Sequence, residues 1–203
     1  MSDQLLALGF RDPVSEAQAT FRAAMWALAR PGRLSSLSAD ITPPAPLNRE
    51  AAALALALCD FETPLWLDAP LAEEPAVAEF LRFHTGAPIV DAPADARFAI
   101  VARPTELIDF DMFCQGSPDF PDESTTLILQ VDGFQDTSSH GPGFQLEGPG
   151  IEGCASFGAH PLPGDFAGRM TRNRALFPRG LDLLLAGAGH VAGLPRSVSV
   201  REG

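Results

Sequence analysis

The sequence predicts an α/β fold in which a mixed β-sheet carries helices on both faces. Two patterns lead there. In the first half of the chain, segments with apolar residues at helical spacing alternate with short extended runs, while the last three extended runs are separated only by turns. The length of 203 residues, with 46% hydrophobic and 20% charged, suits one α/β domain spanning residues 1–203 with a full core. There is no internal repeat and no linker.

The first helix is expected from Ser15 to Ala29. Ser15 and Gln18 have capping-box spacing, and Phe21, Ala24, Met25 and Leu28 make one apolar stripe. Pro31-Gly32 ends it, and an extended piece follows from Arg33 to Leu37. After the Pro-rich loop of residues 42–46, Asn48 caps an alanine- and leucine-rich helix from Arg49 to Cys59, apolar all round and therefore buried on most sides. A strand is expected over Thr63–Leu67, then a helix opened by Pro75, running to about His84 and closed by Gly86 and Pro88.

Beyond Ala87 the period becomes extended, with Arg97–Ala102 and Thr125–Val131 as the strongest strands. Between them, Pro104–Phe113 reads as a short helix and Gln115–Ser124 as an acidic loop. Asp132–Pro142 is a second loop, which holds Ser138-Ser139-His140 as solvated polar residues. A strand near Phe144–Leu146, a helix over Gly164–Leu176 and strands near Leu181–Leu185, His190–Leu194 and Ser197–Val200 complete the chain, with a hairpin turn at Gly187-Ala188-Gly189.

Composition removes several chemistries. All 14 basic residues are arginine, so no lysine exists for a pyridoxal-phosphate Schiff base or a Walker A loop. A net charge of −12 repels nucleic acid and anionic membrane surfaces, and neither is expected as a partner. The longest apolar run, residues 51–59, is half a bilayer span, and Met1-Ser2-Asp3-Gln4 lacks a basic signal region, so a cytoplasmic location is expected. Cys59, Cys114 and Cys154 are odd in number and far apart, as for reduced thiols.

Among motifs, Gly148-Pro149-Gly150-Ile151-Glu152-Gly153 matches G-x-G-x-x-G but opens into no helix, and Pro149 removes an amide donor. It reads as a turn between extended segments. The four histidines and three cysteines have no metal-ligand spacing, and Asp109 and Asp111 point to different sides of a helix, so no metal site, acid/base pair or cofactor is assigned. His84 shares a helix face with Phe80 and Leu81 and reads first as a partly buried structural residue. Arg169, Arg172, Arg174 and Arg179 form the one cationic cluster, suited to an anion but more economically to neutralising the protein's own carboxylates.

These segments resemble one family over nearly the whole chain: the phosphonate metabolism protein PhnH family, a component of the carbon–phosphorus lyase system. The resemblance rests on the order and spacing of Gly9-Phe10, Asp12-Pro13-Val14, Ala29-Arg30-Pro31-Gly32, Pro46-Leu47-Asn48 and residues 62–67. It continues through residues 81–88, 126–131 and 148–151, then Phe177-Pro178-Arg179-Gly180 with Asp182, and Leu194-Pro195-Arg196. Val198 departs from the family, which carries hydroxyl residues at both positions after Arg196.

The resemblance implies a fold similar to the large domain of pyridoxal-phosphate-dependent transferases without the cofactor site, and a homodimer that joins the G, I, J and K subunits, chiefly the large I subunit. It implies a supporting role when an alkylphosphonate displaces adenine from MgATP to give ribose 1-alkylphosphonate 5-triphosphate. The later radical step needs an iron–sulfur cluster, for which this chain has no cysteine triplet. Two readings follow: a non-catalytic component acting through a docking surface, or a binding or catalytic protein that grips a phosphonate or phosphorylated ribosyl ligand through Arg179 and Arg196, helped by Arg82 and His84.

Overall fold

A computed structural model describes residues 8–135 and 143–203, so Ser138-Ser139-His140 lies outside the described residues. In chain order the elements are α1 (Pro13–Ala29), β1 (Ser35–Ser36), α2 (Arg49–Leu58), β2 (Leu65–Leu67), α3 (Ala69–Ala72) and α4 (Pro75–Thr85). There follow β3 (Phe98–Val101), β4 (Thr126–Gln130), β5 (Gly133–Phe134), β6 (Phe144–Glu147), β7 (Ala155–Phe157) and β8 (Ala159–His160). The chain ends with α5 (Phe166–Ala175), β9 (Asp182–Gly187), β10 (His190–Leu194) and β11 (Ser199–Glu202).

The main sheet is mixed and six-stranded, in the order β1-β10-β9-β4-β3-β2. β2, β3, β4 and β9 run parallel, and β10 and β1 add antiparallel. Side-chain alternation divides its apolar residues between two cores. Ile100, Ile128, Leu184 and Ala186 meet α1, α2 and α4 on one face. Val101, Leu127, Leu129, Leu183 and Leu185 meet α5 and a smaller antiparallel sheet, β11-β6-β7, on the other. The expected α/β class with a mixed sheet and helices on both faces is therefore observed.

α1 begins two residues before the expected start. Asp12, not Ser15, is its cap: Asp12 Oδ1 accepts from the Ser15 amide at 3.2 Å, and Glu16 reaches back to the Asp12 amide at 3.0 Å. Pro13 takes the first helical position, where its missing N–H costs nothing. The Asp12 amide, with that of Asp40, holds the Glu16 carboxyl below its ordinary pKa. Asp12→Ala should cost about 1 kcal/mol in chemical denaturation, and Ser15→Ala within ~0.5 kcal/mol of nothing.

The buried face of α1 also differs from the expected stripe. Thr20, Ala24 and Ala27 are buried, whereas Phe21 and Met25 are 52% and 49% exposed. The reason lies across the interface. Gly193 of β10 faces the α1 backbone so closely that a Cβ there would stand 2.5 Å from the Ala27 carbonyl carbon and the Leu28 nitrogen. Only small residues fit between helix and sheet at that separation, so the large ones turn outward.

α2 has five consecutive buried residues, Ala51 to Ala55, as expected of a helix apolar all round. The helix expected over residues 104–113 is replaced by two 3₁₀ turns, Pro104–Glu106 and Phe110–Met112. The guanidinium of Arg169 on α5 takes the Leu107 and Ile108 carbonyls at 2.9 and 2.7 Å, acceptors that a continuous helix would have used itself. The last strand starts at Ser199 because the Val198 amide turns back to the Pro195 carbonyl. The hairpin at Ala188-Gly189 is as expected, with φ of 49° and 76° suiting a two-residue primed turn.

Candidate functional site

The sequence candidates fall in two places. Arg82 and His84 lie on α4, on the face of the sheet that α1 and α2 also cover, while Arg179 and Arg196 lie in the turns that follow α5 and β10. Arg82 is exposed. His84 is half-buried and stacks edge-on with Phe80 and Phe83, at ring centroids 4.6 and 5.0 Å apart. The backbone of Gly9 lies against its other side, where a Cβ would come within 2.5 Å of the ring. The Gly9 motif residue thus seats the N-terminal segment on the His84 imidazole.

Among the described residues Arg196 is the most heavily bonded cation. Its Nε and one terminal nitrogen grip Asp182 at 3.1 and 2.6 Å, with the latter nitrogen also donating to Ser124 Oγ at 2.6 Å. The other terminal nitrogen donates to the Pro121 and Pro178 carbonyls at 2.6 and 3.3 Å. A guanidinium has five N–H donors, and these five bonds use them all. Asp182 opens β9, Ser124 precedes β4, and the neighbouring Arg97, which precedes β3, bonds to Glu123. The N-terminal ends of three parallel strands are stitched together here.

The opposite ends of the strands, where open α/β sheets usually take ligands, are stitched as well. Gln130 ends β4; its side-chain carbonyl accepts from the Asn48 amide and its NH₂ donates to the Pro46 carbonyl at 3.0 Å. Asn48 caps α2 and donates to the Ala186 carbonyl of β9 at 2.9 Å. Asp68, after β2, accepts from the Ala102 and Arg103 amides at 2.8 and 3.0 Å. Its second oxygen is buried without a hydrogen bond among the described residues, and burial raises the pKa of this carboxyl.

The remaining arginines divide. Arg169 and Arg172 pair with Asp165 at 2.7 and 3.7 Å, and Arg169 also meets Asp109 at 3.6 Å, so these two neutralise internal carboxylates. Arg174 is exposed and Arg179 half-exposed, and neither side chain has an ion pair among the described residues. The glycine motif of residues 148–153 connects β6 to its antiparallel neighbour β7. Gly150, at φ 83°, packs on the Ala29 carbonyl and Pro31, which ties two sequence motifs into one joint. Burial pushes the Cys59 thiol up to about 12, so it remains protonated.

Sequence reading missed the Gln130–Asn48 and Asp68 clamps, because each bonds to backbone far along the chain. It also missed a cleft of about 550 Å³ beside Arg174, whose walls come from α5 and the turn after it, the Pro149 turn and the start of β11.

The family model described as "Bacterial phosphonate metabolism protein (PhnH)" matches residues 8–201. A protein of Rhizobium meliloti (strain 1021), named alpha-D-ribose 1-methylphosphonate 5-triphosphate synthase subunit PhnH, is 39% identical over 197 residues, covering 97% of this chain and 96% of that protein. Since the match runs through both cores and every stitch described above, the chain belongs to the PhnH family of bacterial phosphonate metabolism proteins.

Proposed function

We propose that this protein is an accessory, non-catalytic subunit of a carbon–phosphorus lyase system. In it, the protein supports formation of ribose 1-alkylphosphonate 5-triphosphate from MgATP and an alkylphosphonate. The observation that carries this is the 39% identity, over nearly the full length of both chains, to a subunit of a synthase for the methylphosphonate product. In this reading the chain is a cytoplasmic homodimer when alone, and in the assembly it works with the G, I, J and K subunits, chiefly the large I subunit. Its fold is similar to the large domain of pyridoxal-phosphate-dependent transferases, with no lysine to hold the cofactor. Among the described residues no helix is long and apolar enough to cross a membrane.

Two features support a role through contact. The polar residues at both ends of the parallel strands are spent on the protein's own backbone and carboxylates. The outer face of α1, by contrast, leaves Val14, Phe21, Met25 and Trp26 uncovered, at 44–69% exposure, beside a groove of about 360 Å³ that Ala57 helps to line. Co-expression with the large I subunit tests this reading. The two are expected to purify together through size exclusion at moderate salt, and separate elution would count against it. The alternative, a ligand gripped by Arg179 and Arg196, is weakened by the five internal bonds of Arg196.

A further inference from the structure

The cleft beside Arg174 has the chemistry of a small-molecule site. Its volume of about 550 Å³ lies within the usual range for ligand pockets, roughly 300–1,000 Å³. Arg174, Phe177, Ser197, Ser199 and Pro149 are among the residues that line it. Arg174 is the α5 arginine left outside the Asp165 pairs, and its guanidinium has no ion pair among the described residues. The hydroxyls of Ser197 and Ser199 are half-buried and make no hydrogen bond with the described residues, so both can donate to a guest. Thr171, also in the wall, has its proton committed to the Ala167 carbonyl at 2.9 Å and can only accept. Phe177 is 62% exposed, an apolar ring beside an unpaired cation.

A forked cation, two hydroxyl donors and an aromatic face on a protein of net charge −12 form a local exception to its field. We infer that this cleft binds a small phosphoryl- or phosphonyl-bearing ligand, whose oxyanion lies against Arg174, Ser197 and Ser199 and whose organic part lies on Phe177. The inference concerns the isolated chain and stands apart from the docking role proposed above. A competing role for Arg174 is to complement the C-terminal end of the α5 dipole, which would affect helix stability and leave ligand affinity unmoved.

Calorimetric titration of the full chain with inorganic phosphate, methylphosphonate and ATP, each in a separate arm, tests this. At least one probe is expected to saturate below about 10 mM and to lose tenfold or more in affinity in Arg174→Ala, with the melting temperature unchanged. The arm that saturates identifies the source of the oxyanion, and Ser197→Ala with Ser199→Ala should weaken the same probe. No saturable binding of any probe below about 10 mM, or a loss of less than tenfold in Arg174→Ala, overturns the inference. Retained co-purification of Arg174→Ala with the large I subunit separates failure here from failure of the docking role.

Discussion

Arg196→Ala is expected to lower stability by about 3 kcal/mol, which for a chain of this length is a fall of roughly 6–12 °C in melting temperature. The side chain is 13% exposed and Asp182 is 23% exposed, so removing the guanidinium leaves a largely buried carboxylate without its counter-charge. It also frees the Pro121 carbonyl and the Ser124 hydroxyl of one turn and the Pro178 carbonyl of a second segment. Arg196→Lys should recover only part of the loss. An ammonium keeps the charge but cannot reproduce a planar fork with five fixed donors. Thermal melts of both variants check this, and an alanine variant that melts within ~2 °C of the parent would show that the network carries little of the fold.

Gly193→Ala should be comparably severe, at about 3 kcal/mol, for a steric reason. The added methyl would stand 2.5 Å from the Ala27 carbonyl carbon and the Leu28 nitrogen, and backbone cannot yield as a flexible side chain would. α1 must lift from β10, opening a gap around Thr20, Ala24 and Ala27. Denaturant unfolding gives the magnitude. Hydrogen exchange should show protection lost first along α1 and β10, whereas uniform loss across the sheet would point to a different cause.

The elements that sequence made legible are those whose cause is local. α2 and α4 carry their own caps, Asn48 and Glu74, and β3, β4, β9 and β10 are short apolar runs between turn residues. What was not legible depends on partners distant in sequence. The stripe of Phe21 and Met25 reads as a core face until Gly193 is seen across from it. The 104–113 segment reads as a helix until Arg169, some sixty positions later, claims its carbonyls. The cap of α1 is one motif further upstream than the capping-box spacing suggests, since Asp12 and Glu16 close it together.

The same distinction governs the site. Arg196 and Arg179 lie in motifs and draw attention as anion ligands, yet Arg196 is held by Asp182, Ser124 and the Pro121 and Pro178 backbone. Its place in a motif is explained by the joint it makes. Arg174, which no short motif singles out, lines a cleft with Ser197, Ser199 and Pro149, brought to it by the packing of α5 on β11.

A protein that acts by contact leaves bond making to its neighbours, and adenine release from MgATP and methylphosphonate measures that division of labour. The purified chain alone, the partner subunits alone, and the two combined are the three samples. Action by contact predicts no adenine above background from the chain alone at any concentration, and a rate in the combined sample well above that of the partners. Adenine formed by the isolated chain in proportion to its concentration, or partners that reach the full rate without it, would contradict this role.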